Sequence, residues 1–501
     1  MLCIDGNHPV IKKFIQRVFG GGKSADATKP GKANKARAAA GKEAWRIYPQ
    51  AEHGIHRDDL SDAAITVCEG LQKAGYKAFV VGGAVRDLLL GRHPKDFDVA
   101  TDATPEQVRG VFRRARIIGR RFRLVHVMFR DETIEVSTFR SAHPAADPDA
   151  EADADTSKEN NRARADEHGR LLRDNVFGNQ EEDAIRRDFT MNALFYDPTK
   201  QEVWDYVNGV ADIQKKRVVM IGDPDARYRE DPVRMLRAAR LASKLEFTID
   251  PPTEKPIATL APLLDNVPTA RIFDEMLKLL FSGHALVGLE MLRKLGLHLG
   301  MLPVLDKLFD DPVTRPFVTL ALQRTDERIR DEKGVSPPFL FAALFWHPMV
   351  ARWKKIEAGG MRPLQAMHQA MDDVLDEQRK SLAIPRRLDP LIKELWLAQP
   401  RFAQRSQGKA FRNLTHPRFR ASYDFYALRA EAGDADLEIA QWWEKFQFAD
   451  EATQQSMLLP DDEPKKGKRR RRKKKSGAGG ALEDSSAGAS TFPDDDLPRA
   501  S

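Results

Sequence analysis

Cysteine is scarce in this chain. Cys3 and Cys68 are the only two, too few for a disulfide framework or a cysteine-based zinc site. That scarcity fits a reducing, cytoplasmic setting. Long apolar runs are missing too. Nothing approaches the roughly 18 residues that a membrane span needs, so no stable membrane insertion is expected. The opening "MLCIDGNHPVIKKFIQRVFGGGK" lacks the apolar centre of a secretory signal. Its "VIKKFIQRVF" part reads as a short basic amphipathic segment, of the kind that touches RNA or a membrane surface. No fixed-period repeat is visible. What the chain does have is charge, and it is segregated. The net charge is +7. The stretch Lys465 to Lys475 reads "KKGKRRRRKKK", the arm from Lys12 to Arg46 is rich in Lys and Arg, and Asp147 to Asp155 reads "DPDAEADAD". Such blocks rarely fold, and basic ones bind polyanions.

A length of 501 residues suggests about two to four domains. Residues 1–55 read as a flexible basic arm. "AAITVCEGLQKAG" has helical periodicity, with Gly75 as its stop. "KAFVVGG" reads as a buried strand, "AVRDLLLG" as a short helix and "DFDVAT" as a second strand. "TPEQVRGVFRRA" reads as a helix opened by Thr104 and Pro105. "FRLVHVMFR" and "TIEVSTFR" read as strands joined by "DE" in a hairpin. This alternation predicts a small α/β unit with a mixed sheet over residues 56–215. The polar stretch 141–173 is expected to be a loop or disordered insertion. Beyond about 218 the pattern turns helical, with 216–285 read as a neck, 286–455 as a body and 456–501 as a disordered basic tail.

The stretch "FVVGGAVRDLLLGRHPKDFDVAT" concentrates the chemistry. Asp96 and Asp98 lie two apart on a predicted strand, so they face the same way. Two carboxylates there can hold Mg²⁺, which takes oxygen ligands and phosphate partners. The same D-x-D spacing at Asp147/Asp149, Asp153/Asp155, Asp223/Asp225 and Asp434/Asp436 reads as solvated loop or cap. Gly82 and Gly83 stand between a strand and a helix, where backbone N–H groups bind phosphate and glycine lets it approach. The plainer reading of Gly-Gly is a tight turn. Arg86 follows one turn later, placed for the same phosphates or for a salt bridge to Asp87. An anion cradle and a metal pair in one unit suit a nucleoside triphosphate with its magnesium.

Taken together, "VVGGAVRDLLLG…DFD", "RRDFTMNALFYD", "DYVNGVADI" and "RYREDPVRMLRAAR" resemble, in order, the signatures of the class II template-independent nucleotidyltransferases. That family holds the bacterial poly(A) polymerases and the CCA-adding enzymes. The resemblance implies an α+β fold, with a polymerase-β-like head on a small mixed sheet, an all-helical neck and body, and disordered basic termini. It implies that Asp96 and Asp98 hold metal, with Glu135 or Asp188 as the third catalytic carboxylate. Arg187 would contact the triphosphate or sugar, and Asp231 and Arg234 the base edge. Asp231 before Pro232 also suits a plain helix cap. Arg234, Arg237 and Arg240 recur every three residues, so they fan over one side of a helix to meet nucleotide and primer. "GRRFRLVHV", "SPPFLFAALFWHP", "DVLDEQRKSLAIPRR" and the basic tail are similar to the poly(A) polymerase branch. On that branch the chain would add AMP from ATP to RNA 3′ ends, with RNA-decay or RNA-chaperone proteins as possible partners. A CCA-adding enzyme and a non-catalytic RNA-binding protein are the alternatives.

Overall fold

The computed structural model describes residues 45–119, 123–141, 164–165, 171–173, 177–298 and 310–460. The arm before Trp45, the acidic block Asp147–Asp155, the core of "GRRF" and the polybasic "KKGKRRRRKKK" lie outside the described residues.

An eight-stranded sheet organises the first part of the chain. Its strands are β1 (Arg46–Pro49), β2 (Ala78–Val81), β3 (Asp98–Thr101), β4 (Ala115–Ile118), β5 (Leu124–Met128) and β6 (Thr133–Thr138). A small antiparallel pair, β7 (Arg164–Ala165) and β8 (Leu171–Arg173), stands apart, and β9 (Leu194–Asp197) and β10 (Glu202–Asp205) complete the sheet. The order is β1-β10-β9-β2-β3-β6-β5-β4. β3 and β6 run parallel, and the other pairings are antiparallel. β2 reads Ala-Phe-Val-Val and is buried throughout, because both faces of the sheet are covered here. One face carries α1 (Asp62–Lys73), which is capped by the Ser61 hydroxyl accepting from Ala64 N–H and buries Ala64, Val67, Cys68 and Leu71. Burial pushes the Cys68 thiol well above its ordinary pKa. The other face collects Phe79, Val81, Phe139 and Phe195.

Four expectations need correction. The last part of the arm read as flexible to residue 55 is folded: β1 pairs with β10, Trp45 stacks on Trp204 at 5.7 Å and Ile55 is buried. The expected insertion at 141–173 contains the β7–β8 pair. The helix opened by Thr104 is capped as expected, with Gln107 completing a capping box. It ends at Val111 (α3, Pro105–Val111), however, because Phe112 turns extended and the β-branched "ARII" forms β4. Finally, β3 begins at Asp98, so Asp96 lies just before the strand and not on it.

After the sheet the described residues are helical apart from turns and the two-residue parallel strands β11 (Arg217–Val218) and β12 (Thr248–Ile249). Between β2 and β3 comes α2 (Gly83–Leu89), and before β9 comes α4 (Gln180–Ile185). Then follow α5 (Pro224–Glu230), α6 (Val233–Leu245), α7 (Thr269–Leu280) and α8 (Ala285–Lys294). The last part holds α9 (Arg315–Arg330), α10 (Pro337–Ala358), α11 (Pro363–Ser381), α12 (Asp389–Ala398), α13 (Gln407–Leu414), α14 (Phe419–Glu431) and α15 (Leu437–Phe448). α10 passes through Pro348 unbroken. One apolar cluster runs from Ile55 through Leu236 and Leu279 to Leu428, so the core is continuous across residues 215 and 285. A separate cluster of Phe402, Tyr423, Trp443 and Phe446 holds the C-terminal helices together. Among the described residues no helix is long and apolar enough to cross a membrane.

Candidate active site in the cleft between sheet and helices

A cleft of about 820 Å³ opens where the ends of β2, β3 and β6 face α6 and α7. Among the described residues, ten Arg or Lys and seven Asp or Glu side chains line it, a charge density that an apolar ligand would not require. Two of the acids come from the sheet. Asp98 and Glu135 are register partners on the parallel strands β3 and β6, so their carboxylates project from adjacent strands on one face. Burial, then the charge of Glu135, push the Asp98 carboxyl up to about 6; Arg187 opposes this and Asp96 adds to it. Asp98 stands at the exposed start of β3 and lines the cleft, so the protein packed around its carboxylate covers it only in part. Glu135 also meets His126 of β5, its cross-strand partner, with Nε2 and Oε2 3.6 Å apart. Asp96 is exposed and near enough to act on Asp98, but it does not line the cleft wall.

Among the described residues no three carboxylate, imidazole or thiol side chains gather into a ready-made metal cage. Mg²⁺ does not demand one: it is commonly held by one or two carboxylates plus substrate phosphates. The donor set here fits that pattern. It offers hard oxygens, and the mutual repulsion that raises Asp98 is what a divalent cation would relieve.

The turn between β2 and α2 stands beside these acids. Gly82 has φ 73° and ψ −129°, a region open to glycine and costly for other residues. Gly83 opens α2. Arg86 lines the cleft but is 5% exposed and engaged: Nε and Nη2 donate to Asp87 Oδ1 at 2.8 and 2.7 Å, and Nη1 donates to Asn192 Oδ1 at 2.7 Å. Of the two sequence readings of Arg86, the salt bridge to Asp87 is the one present, and it is buried. Arg187 is held by Asp183 of α4, with Nη2 to Oδ2 at 2.9 Å, and lies over the Phe195 ring.

The two candidates for a third carboxylate occupy different surroundings. Glu135 stands beside Asp98. Asp188 is half-buried at the cleft wall and bonded at both oxygens: Oδ1 accepts from Phe189 N–H at 2.8 Å and Asn192 Nδ2 at 3.3 Å, and Oδ2 accepts from Arg237 Nη1 at 3.3 Å. Burial alone would raise its pKa; Arg237 and these hydrogen bonds outweigh it and hold the carboxyl below its usual range.

The opposite wall is α6. Arg234, Arg237 and Arg240 all reach the cleft, as their spacing predicts, but none is a bare cation. Arg234 Nη1 donates to Glu230 Oε2 at 2.6 Å and to Arg227 O at 2.8 Å. Arg237 bridges Asp188 and Glu275, and Arg240 Nε donates to Glu275 Oε2 at 3.0 Å. Asp231 pairs with Arg271 of α7 at 2.9 Å. Its capping role is slight: α6 starts at Val233, and Asp231 Oδ1 accepts from Val233 N–H at 3.4 Å. Sequence reading passed over Asn192, Glu230, Arg271 and Glu275. A signal existed for Glu275, a charge set among the buried Ile272, Phe273, Met276 and Leu279 of an amphipathic helix.

Comparison with known proteins follows the same lines. The profile described as "Poly A polymerase head domain" matches residues 78–219. "Probable RNA and SrmB- binding site of polymerase A" matches 246–309, and "Polymerase A arginine-rich C-terminus" matches 359–476. Poly(A) polymerase I of Salmonella typhimurium is 46% identical over 418 residues, spanning 82% of this chain and 88% of that protein. The Haemophilus influenzae enzyme of the same name is 42% identical over 82% of this chain and 90% of its own length. A CCA-adding enzyme of Lactobacillus johnsonii is 35% identical, but over 44% of this chain and 50% of its own. Among solved structures, the Bacillus stearothermophilus CCA-adding enzyme in complex with CTP is 26% identical with a TM-score of 0.50, covering 75% of this chain and 80% of that one. By profile, by identity over most of its length and by fold, this chain is a nucleotidyltransferase enzyme that belongs to the poly(A) polymerase family.

Proposed function

We propose that the cleft binds ATP and an RNA 3′ end and transfers AMP to the terminal 3′-hydroxyl. A new bond forms between the 3′-oxygen and the α-phosphorus. The bond from that phosphorus to the bridging oxygen breaks, its electron pair leaves with pyrophosphate, and the hydroxyl proton passes to solvent water. The observation that carries this reading is the division of the cleft: paired carboxylates Asp98 and Glu135 on one wall, and arginines of α6 on the other.

Asp96 and Asp98 would hold Mg²⁺, with Glu135 beside them; when bound, the metal supplies Lewis-acid stabilisation of phosphate charge and a more acidic hydroxyl. The protein does the rest by position and charge. The Gly82–Gly83 turn admits the triphosphate close to backbone N–H groups. Arg187, clamped by Asp183, faces that turn: its Nη1 is 3.5 Å from where a Cβ on Gly82 would stand. Asp231 and Arg234 offer an acceptor and a donor fork to the base edge. Asp188 acts through Arg237, which it orients toward the nucleotide. The basic tail around Lys465–Lys475 would add sequence-independent, salt-sensitive affinity for RNA.

The test uses the full chain with Mg²⁺, an oligo-RNA and each NTP singly, beside a tRNA trimmed of its CCA end. Long tails from ATP alone support the proposal. Addition of two C and one A to the tRNA only would assign the chain to CCA addition, and the absence of any product would leave an RNA-binding protein.

A further inference from the structure

The basic stripe on α6 has a fourth member. Lys244 follows Arg234, Arg237 and Arg240 along the helix and lines the same cleft. The three arginines are each matched by a carboxylate. Lys244 is not: among the described residues its ammonium makes no ion pair and no hydrogen bond. The carboxylate that bears on it is Asp87, and Asp87 Oδ1 is already shared by two N–H groups of Arg86. Arg86, Arg240 and Arg92 press on it as like charges, and these with burial lower its pKa from the ordinary lysine value, burial being the largest cause. A recessed ammonium among guanidiniums, without a counter-ion of its own, is a place for an anion.

Position selects the anion. Arg86 Nη2 lies 3.5 Å from where a Cβ on Gly83 would stand, so the basic group around Lys244 adjoins the Gly82–Gly83 turn. From residue 234 to residue 244 the helix rises about 15 Å at 1.5 Å per residue, a span that an extended nucleoside triphosphate can bridge. With the base at Arg234, the far end of the tail arrives at Lys244.

We infer that Lys244 binds the β- and γ-phosphates of the incoming nucleotide and the pyrophosphate they become. This rests on the reading of the cleft as a nucleotidyl-transfer site. The residue would hold negative charge that grows on the leaving group as the α-phosphate bond breaks.

Lys244→Met and Lys244→Arg in the full chain test it by calorimetric binding of ATP, AMP, pyrophosphate and an oligo-RNA, with thermal melting as the folding control. The methionine variant should bind ATP and pyrophosphate about tenfold or more weakly, the scale of one charged hydrogen bond. It should bind AMP and RNA like the parent, and arginine should restore most of the loss. Weakened RNA binding with ATP binding intact would move Lys244 to the primer backbone and overturn the inference. Equal losses for ATP and AMP, or no loss at all, overturn it too. A parent protein that binds pyrophosphate through Lys244 but extends no RNA would instead sink the proposed function and spare the residue assignment.

Discussion

Asp98 and Glu135 are register partners on the parallel strands β3 and β6, which sets two carboxylates of adjacent strands on one face of the sheet. Their proximity is unfavourable by itself. With burial as the larger cause, it lifts the Asp98 carboxyl to about 6. A folded pKa above the unfolded one means the contribution to stability is fully present at low pH and lost as pH rises through about 6. Asp98→Asn removes that loss. The variant should melt higher than the parent at pH 7.5 without divalent cation, and extend RNA not at all. A lower melting temperature, or retained extension, would contradict this account of the pair.

The same elevation sets the acid limb of activity. Asp98 must be ionised to hold a cation, so activity should fall as pH drops through about 6. Glu135→Gln removes the second cause of the elevation. In the metal-free protein, carboxyl-carbon NMR should then find Asp98 titrating at lower pH than in the parent. An unchanged titration would mean that Glu135 does not face it.

Glu275 is the hub of the opposite wall. It is 5% exposed and accepts from Arg237, Arg240 and Lys278. Burial would raise its carboxyl, but Arg240 and Arg237 outweigh that and hold it below the usual range. Its stabilising effect is thus present above the ordinary carboxylate pKa and fades as pH falls through the lower folded value. Glu275→Ala leaves the half-buried Arg240 without its carboxylate and Arg237 with Asp188 alone, and should cost about 1–3 kcal/mol, read by urea unfolding at pH 7. The gap between parent and variant should narrow in acid. A loss under about 1 kcal/mol would place these arginines in surface-like surroundings.

Local chemistry was legible in the sequence, and distant partners were not. "KAFVVGG", "AVRDLLLG" and the hairpin joined by "DE" form β2, α2 and β5–β6 much as their patterns predict. The three-residue spacing of Arg234, Arg237 and Arg240 does bring all three to one cleft. Nothing local announces that Glu275, on another helix, neutralises two of them, or that Arg237 saturates Asp188. β1 was missed for the same reason. "RIYP" is short, and its partner β10 lies at the far end of the sheet region, so only tertiary pairing makes it a strand.

That missed strand gives a direct comparison of two truncations, one starting at Trp45 and one at Gly54. The second removes β1 and the Trp45–Trp204 stack, leaving β10 as a bare edge. It should melt lower than the first and aggregate on concentration, because an unpaired edge recruits other chains. Equal melting temperatures and equal solubility would show that β1 adds nothing to the sheet.

Gly82 and Gly83 separate conformation from contact. At Gly82 the backbone is left-handed, with φ 73°. A Cβ there would meet Arg187 Nη1 at 3.5 Å and Asn192 O at 3.9 Å, ordinary distances, so the obstacle is torsional. Gly82→Ala should cost about 1–3 kcal/mol and displace Gly82 O, which accepts the Arg86 N–H that begins α2. At Gly83 no such torsion exists, and a Cβ would find only the Arg86 guanidinium, nearest at 3.5 Å. Gly83→Ala should therefore melt with the parent. If phosphate approaches this backbone as proposed, the added methyl occupies its path, and KM for ATP should rise while RNA affinity holds. The pair of variants thus divides stability from ligand approach at adjacent positions. Were Gly83→Ala to bind ATP as tightly as the parent, the triphosphate would have to lie elsewhere in the cleft, and the turn would be only a turn.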